Sequence, residues 1–565
     1  MALNSFVVNA GIIGALLVFG SYYVRHYVVM WRRNPQGLPN PPGPRQLPII
    51  GNLLDMPRKH YPLTHTKWMR KYGPMTYLVA AGQPFLVINS YDVAKDLLDK
   101  RGSNYINRPR MVMAGELSGI GKATGMTQSG TLWKKQRRYL NKALSGEPIV
   151  RRDYSELMIK RATILVKSIL DHPENFLWEV KKMAGHVVIE VGYGAIGDDE
   201  DGSHNYIDMQ IELGIITAKT VQGYWVDYFP WLKHIPTWFP GAQFKRDGLR
   251  WGKQFDATRD YMFETVRKRM LSEDQGVSLP SSFVRNTLRD LYSKPPPDAQ
   301  QLKEDEEAIK CSSFSFYRAG SDTVESVLRS FLLAMSLYPE IQARAYAEIE
   351  RVIGSCRLPT VNDKGADKMP YIEALVLEAV RWNPPTGSGV PHVPIHDDVY
   401  QGYFIPKETI VYNNVWWVNN STEFQHADVL LRPQDRQLSR DPVYYPNPSD
   451  FIPERFLLAD DTGSGVTFNK STLDPCQYVF GFGRRICPGI DMSVQEIWVA
   501  IVFILWAFEV KRKGGGKWDT DEDRFTFTFI SHTKPFDCDL IPRLDKAKEL
   551  IEEAYGSLSS PERRK

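Results

Sequence analysis

Phe480-Gly481-Phe482-Gly483-Arg484-Arg485-Ile486-Cys487-Pro488-Gly489 sets a single cysteine among glycines, with an arginine two residues ahead of it. Glycine has no Cβ, so the backbone here can loop closely around the sulfur. Amide hydrogens aimed at a thiolate hold its negative charge and tune whatever metal it binds. Arg485 is near enough to meet a carboxylate of a bound group through a charge-assisted hydrogen bond. Pro488 suits the first turn of a helix, which would put the sulfur at the positive end of the helix dipole. A lone cysteine is most often a small buried hydrophobe. The five fixed positions of F-x-x-G-x-R-x-C-x-G change that, since chance supplies them in roughly one chain of this length in 10⁴.

Other segments carry patterns that an ordinary core does not need. Lys310 to Leu333 has helical period, with Ala319-Gly320-Ser321-Asp322-Thr323 at its centre. Gly320 costs such a helix about 1 kcal/mol against alanine, and Thr323 can bond back to a carbonyl one turn earlier and bend it. Glu378 and Arg381 are three apart, share a helix face and can pair. The same spacing at Glu264–Arg267 and Glu348–Arg351 reads as surface pairing only. Asn383-Pro384-Pro385 closes the helix of Glu378, and Pro453-Glu454-Arg455-Phe456 lies further on. Trp133 and Arg137, four apart within Trp133-Lys134-Lys135-Gln136-Arg137-Arg138, also share a face.

In their order and spacing over nearly the whole chain, these motifs resemble those of the cytochrome P-450 family, and most closely its fungal microsomal members of secondary metabolism. The resemblance implies a mainly α fold with small β-sheets (α+β), a haem b whose iron takes Cys487 as axial ligand, and a monooxygenase reaction. It implies that Arg485, Trp133, Arg137 and His392 meet the haem propionates, while Phe480 and Gly483 shape the loop around the metal. Many relatives carry arginine after that histidine, where this chain has Val393. Gly320, Asp322 and Thr323 would form an oxygen-side notch, the acid–alcohol pair supplying protons. Glu378, Arg381 and Arg455 would make a buried structural network beneath the haem. Electrons would come from NADPH through a separate NADPH-cytochrome P-450 reductase, for which Lys134, Lys135 and Arg138 offer a basic patch. The substrate would be an apolar small molecule, a terpenoid or polyketide, hydroxylated with dioxygen. Two other readings stay open: a haem-thiolate isomerase or dehydratase, and a haem protein without turnover. The acid–alcohol pair argues against the isomerase or dehydratase.

Composition sets outer bounds. At 43% hydrophobic and 24% charged residues the chain is globular in character, and a net charge of +4 gives no reason to expect nucleic acid as a partner. Five cysteines without a C-x-x-C pair suit reduced thiols facing the cytosol. Phe6 to Val24 carries no charge, is about long enough to cross a bilayer, and is followed by Arg25, Arg32 and Arg33. That order predicts a signal anchor over residues 1–30 in the endoplasmic reticulum membrane, with the catalytic domain in the cytosol. Prolines from Pro35 to Pro48 predict a rigid hinge over 31–50. A haem-binding domain over 51–545 and a polar tail over 546–565 complete the division.

Met75 to Ile88 predicts two strands about Ala81-Gly82-Gln83, and strand patterns return at Val399–Phe404, Thr409–Tyr412 and Arg524–Ile530. No glycine-rich dinucleotide motif follows a predicted strand, so no fused reductase is expected. Tyr224, Trp225, Tyr228, Phe229, Trp231, Trp238 and Phe239 crowd a region that in relatives roofs the pocket, and Pro236–Pro240 reads as a loop dipping into membrane lipid. Relatives run almost directly from the Trp416-Trp417 turn to Arg440-Asp441-Pro442. Ser421 to Ser439 is therefore an insertion, either a flopped-out loop or a retained intron, and a loop is cheap in closure entropy. Sequons at Asn419, Asn420 and Asn469 would stay unmodified in the cytosol.

Overall fold

The helix that follows Cys487 carries the centre of the molecule. Ile490–Ala507 is apolar on all sides, and such a helix must have protein around it or lie in a membrane. It is the one helix among the described residues long and apolar enough to cross a bilayer, yet Trp498, Phe503 and Leu505 are buried within the protein. The computed structural model describes residues 28–559 apart from 30, 58–60, 195–204, 222, 272–279, 295–297, 417–443, 460–465, 470, 515–517, 519 and 544. The expected anchor at Phe6–Val24, the Ser421–Ser439 insertion and the sequons at Asn419 and Asn420 lie outside the described residues.

The helices of ten residues or more are Tyr61–Tyr72 (α1), Thr131–Leu144 (α2), Glu147–Asp171 (α3), Phe176–Tyr193 (α4), Tyr206–Thr220 (α5), Gln243–Leu271 (α6) and Phe283–Tyr292 (α7). Ala299–Leu337 (α8), Pro339–Val352 (α9), Pro370–Trp382 (α10), Ile490–Ala507 (α11) and Asp545–Ser559 (α12) follow. With 39 residues, α8 is about 58 Å long at the helical rise, and it packs on α2, α4 and α11. Among the described residues, four small sheets flank this body. Met75–Ala80 (β1), Gln83–Ile88 (β2) and a later strand, Ile410–Asn413 (β5), form the largest, in the order β1-β2-β5. β1 runs antiparallel to β2 with Met75 opposite Ile88, and β5 runs parallel to β2 with Phe85 opposite Ile410. Asp398–Tyr400 (β3) pairs with Tyr403–Ile405 (β4), Leu457–Ala459 (β6) with Val466–Phe468 (β7), and Phe508–Arg512 (β8) with Cys538–Pro542 (β9). The mainly α class with small sheets is therefore as expected.

Four local expectations need correction. The proline stretch 31–50 is no free spacer: the Pro42 carbonyl accepts from Tyr77 N at 2.8 Å and the Pro39 carbonyl from Phe404 N at 2.9 Å. A Cβ on Gly43 would overlap the Tyr77 carbonyl, so this stretch lies directly on the sheet edge. The segment expected as a polar tail contains α12, which packs on α3 and buries Ala547 and Ile551. Arg524–Ile530 forms no strand; Phe525 makes an isolated bridge with Thr533 instead. The helix after Cys487 begins at Ile490, with Gly489 as its N-cap, two residues later than Pro488 suggested.

Candidate active site

The cysteine loop is folded tightly by its own backbone. Cys487 N donates to the Phe480 carbonyl at 2.9 Å, and Gly489 N donates to the Cys487 sulfur at 3.4 Å. Gly481 and Gly483 sit at φ +82° and +52°, a region that other residues enter at a cost. A Cβ on Gly483 would also lie 2.5 Å from the Leu98 carbonyl, so the loop is pressed against the backbone before it. Burial pushes the Cys487 thiol above its ordinary pKa, although the Gly489 amide and the Arg137 charge pull the other way. A sulfur so placed ionises readily only beside a further cation, which is the condition a bound iron meets.

Around this loop the fold gathers guanidiniums that have no carboxylate partner among the described residues. Arg485 is buried and spends its donors on backbone carbonyls: Ile106 at 2.7 Å, Thr127 at 2.8 Å and Thr124 at 3.3 Å. Its guanidinium lies 4.3 Å from the ring centroid of Trp133, whose indole N–H is buried with no partner among the described residues. Arg137, on the same face of α2, donates to the Ile486 carbonyl at 2.6 Å. His392 is buried with Nδ1 2.8 Å from the Tyr105 carbonyl. Backbone bridges from His392 to Val411 and from Val393 to Asn107 set its position, so Val393 contributes through its amide whatever its side chain.

The structure adds Arg108, which the sequence reading passed over. It is buried and donates to the Gly125, Val390 and Pro391 carbonyls, each at 2.8 Å. Among the described residues none of Arg108, Arg137 and Arg485 has a carboxylate partner. Burial lowers the pKa of all three, Arg485 to about 10, and Arg108 and Arg485 are lowered further by other guanidiniums of the cluster. His392 is held well below its usual range by burial, with Arg108 and Arg485 adding to the effect. Buried charge of one sign is costly unless a counter-charge arrives. Two propionates beside a cysteine-bound iron are such a counter-charge, and the orphan indole N–H supplies one more donor. The residues present therefore fit a haem.

On α8, Ala319 is exposed and Arg318, Gly320, Asp322 and Thr323 are half-buried, while most residues from Val324 to Ser336 are buried. The Thr323 hydroxyl donates back to the Ala319 carbonyl at 2.9 Å, as its position suggested. Asp322 pairs with His532 at 3.2 Å, a partner 210 residues away that no local pattern announced. Burial alone would raise the Asp322 pKa, but His532, Lys181 and Arg329 hold it below the ordinary carboxylate range. Gly320 also has a packing reason that the sequence did not announce. A Cβ there would sit 2.7 Å from Val188 Cγ2, so the glycine lets α4 approach α8.

Glu378, Arg381 and Arg455 come together as the motifs implied. Arg381 donates to Glu378 through Nε and Nη2, both at 2.7 Å, with Glu378 and Arg381 fully buried, and Arg455 Nε reaches Glu378 at 3.3 Å. Ile452 N adds a bond at 2.7 Å, and Arg381 reaches the Pro448 carbonyl at 2.9 Å. Of the two pairs expected at the surface, Glu264–Arg267 is partly exposed as foreseen. Glu348 is not a surface residue: its carboxylate accepts from Tyr371 N and Ile372 N and caps α10, the helix that carries Glu378. The basic patch on α2 is also smaller than expected, because Lys135 is held by Glu304 and Asp305 at 3.1 Å each, leaving Lys134 and Arg138 exposed.

Comparison with known proteins agrees with this geometry. The Cytochrome P450 family model matches residues 41–430 and 435–539, its break falling inside the 421–439 segment. Cytochrome P450 monooxygenase 176 of Postia placenta is 31% identical, covering 96% of this chain and 98% of its own. Cytochrome P450 monooxygenase claR of Ampulloclitocybe clavipes is 34% identical over 95% and 91%. Tryptamine 4-monooxygenase of Psilocybe cyanescens is 33% identical over 95% and 97%. A match of this extent shows that the chain belongs to the cytochrome P450 family, the haem-thiolate monooxygenases whose iron is held by a cysteine.

Proposed function

We propose that this chain hydroxylates an apolar small molecule of secondary metabolism, a terpenoid or polyketide, with electrons delivered from NADPH by a separate reductase. Haem held through the Cys487 thiolate supplies dioxygen activation and the oxidation of a carbon–hydrogen bond. The residues of the chain do the rest. Gly489 N and the tight glycine loop keep the sulfur in place. Arg108, Arg137 and Arg485, with the Trp133 indole and His392, take the propionates. Thr323 and Asp322 move protons to the oxygen side, and His532 keeps the Asp322 carboxylate ionised and oriented. Glu378, Arg381 and Arg455 hold the segment leading into the cysteine loop and do no chemistry.

The observation that carries this reading is the group of guanidiniums, two of them buried and none with a carboxylate partner among the described residues, gathered beside a half-buried thiol. Exposed Trp225, Trp231, Trp238 and Phe239 support a second part of it, in which this face rests on the endoplasmic reticulum membrane and the residue 1–30 segment anchors the chain. One relative is named for tryptamine, so aromatic amines belong in the first substrate panel beside terpenoids and polyketides.

The test is a carbon monoxide difference spectrum of the reduced protein, followed by NADPH consumption with a reductase. The red-shifted band of a cysteine-ligated haem is expected, lost in Cys487→Ser. No band would mean a protein disabled for haem-thiolate chemistry, and a band with product but no NADPH consumed would mean an isomerase or dehydratase.

A further inference from the structure

Residues 224–234 lie across the body of the protein with little of their own surface buried. Trp225, Phe229 and Trp231 are exposed, and within this segment only Val226 is buried. Two polar ties fix it to residues 112–117. The Asp227 carboxylate accepts from Met113 N at 2.9 Å through Oδ1 and from Tyr224 N at 3.1 Å through Oδ2. Lys233 is 2.7 Å from Glu116, whose other oxygen meets Arg110 at 2.6 Å. Burial raises the Asp227 pKa, while the amides of Met113, Tyr224 and Val112 pull the other way. Those bonds are what the charge has in place of water.

Both flanks of this strap are rooted beside the guanidinium cluster. Residues 109–124 form a closed loop. Arg108 donates to the Gly125 carbonyl at 2.8 Å, Gln128 donates to the Arg108 carbonyl at 2.7 Å, and a Cβ on Gly121 would lie 2.9 Å from the Gly115 carbonyl oxygen. The base of the loop belongs to the cluster through Arg108 and through the Thr124 carbonyl, which accepts from Arg485. Its back is seated on α6, where Cβ atoms on Gly248 and Gly252 would lie 2.9 Å from Leu117 Cβ and 2.8 Å from the Leu117 carbonyl oxygen. On the other flank Tyr228 packs against the small apolar cluster of Leu78, Ala80 and Phe85, as does Tyr412 of β5. The same β5 carries the bridge from Val411 to His392.

The loop is thus fixed at its base and back, whereas the strap has one buried side chain and two polar ties. Segments with few buried apolar contacts are the ones that open first. The Glu116–Lys233 pair is partly exposed, and such pairs are weak. Asp227 holds two backbone amides at once with a charged acceptor, which makes it the stronger of the two. The exposed Trp225 and Trp231 place the strap on the face proposed above to rest on lipid.

We propose that the strap covers the way from the lipid face to the haem, with Asp227 as its latch and the Glu116–Lys233 pair as a weaker second catch. This rests on the monooxygenase reading above and concerns traffic to that site, not the chemistry in it. An apolar molecule leaving the bilayer enters when residues 224–234 part from residues 112–117, and the product leaves the same way. The latch is closed both before a ligand enters and after it has bound. It therefore sets the rates of entry and exit and leaves affinity nearly unchanged.

The test uses haem-loaded full-length protein in detergent, with 4-phenylimidazole as the probe. Its binding to the iron changes haem absorption, and stopped-flow mixing gives both rate constants. Asp227→Asn keeps one acceptor oxygen and cannot hold both amides. It should raise association and dissociation together by about tenfold, as the loss of a charge-assisted hydrogen bond would, with Kd within about twofold of wild type. Glu116→Gln and Lys233→Met should each raise both rates by about two- to threefold. Those two variants decide the matter if Asp227→Asn does not fold. Rates unchanged in the variants, with only the denaturation midpoint lowered, would make the contacts structural and overturn the proposal. A change in Kd carried by dissociation alone overturns it as well. A wild-type protein without the carbon monoxide band fails the monooxygenase reading instead, so the two failures are told apart before any ligand is added.

Discussion

Gly320 shows how a residue can be noticed in the sequence while the neighbour it makes room for is not. A glycine inside a long helix needs an explanation, and one is Val188, whose methyl would be 2.7 Å from an added Cβ. Valine is stiff at χ1 and cannot swing aside. Gly320→Ala should therefore destabilise the fold by about 1–3 kcal/mol, the usual cost of overpacking. Pairing it with Val188→Ala should recover much of that loss, and denaturant midpoints of the two variants check it. If the single variant is as stable as wild type, the contact is not tight. Cys487 is the opposite case, legible at once, because a sulfur, the amides around it and the glycines that admit them lie within ten consecutive residues. Arg108 was not legible: its partners are carbonyls at Gly125, Val390 and Pro391, and no short pattern spans that distance.

Among elements, α10 is the one whose charges matter most. Its N-terminus is capped by Glu348 and its C-terminal half carries Glu378 and Arg381, fully buried with Arg455 against them. Burial by itself would raise the Glu378 pKa, but Arg381, Arg455 and the Ile452 amide hold it below the ordinary carboxylate range. The sign follows: a depressed folded pKa gives stability that is whole above the unfolded carboxylate value, about 4.3, and is lost as pH falls through the folded one. Stability should thus owe no pH dependence to this group between about pH 5 and 8, with its loss confined below about pH 4. Glu378→Gln leaves two buried guanidiniums short of their counter-charge and should cost on the order of 3–5 kcal/mol at neutral pH. Denaturation midpoints from pH 3 to 8 check both statements. A wild-type curve that declines already near pH 6, or a variant of unchanged stability, contradicts them. The E-x-x-R spacing predicted the pairing but could not rank three copies of it, because spacing reports helix face and says nothing of burial.

At the scale of the whole molecule, the membrane face proposed above can be put to a test. Trp225, Trp231, Trp238 and Phe239 are all exposed, Trp238 at 78%, within one stretch between α5 and α6. Soluble proteins rarely leave so much aromatic surface uncovered without a partner for it. Changing Trp238 and Phe239 to serine in a form lacking residues 1–30 should weaken partitioning onto liposomes severalfold, since both rings lose their contact with the acyl boundary. Unchanged sedimentation with vesicles would place the contact elsewhere. The same scale explains why 31–50 and 546–565 were read as spacer and tail. Proline content and polarity describe a segment alone, whereas Pro42 is fixed by a strand 35 residues on, and Pro39, Ala547 and Ile551 by surfaces hundreds of residues distant.

By itself the order of amino acids determined the family, the cysteine loop, the helical class and the pairing of Glu378 with Arg381, because each is written within a few turns of chain. Only the tertiary structure decided that Arg108 joins Arg485, that His532 meets Asp322, that Glu348 caps α10 and that Gly320 serves packing. Those contacts join segments from about 20 to about 380 residues apart, where side-chain periodicity carries no record of the neighbour and the folded backbone alone brings the two together.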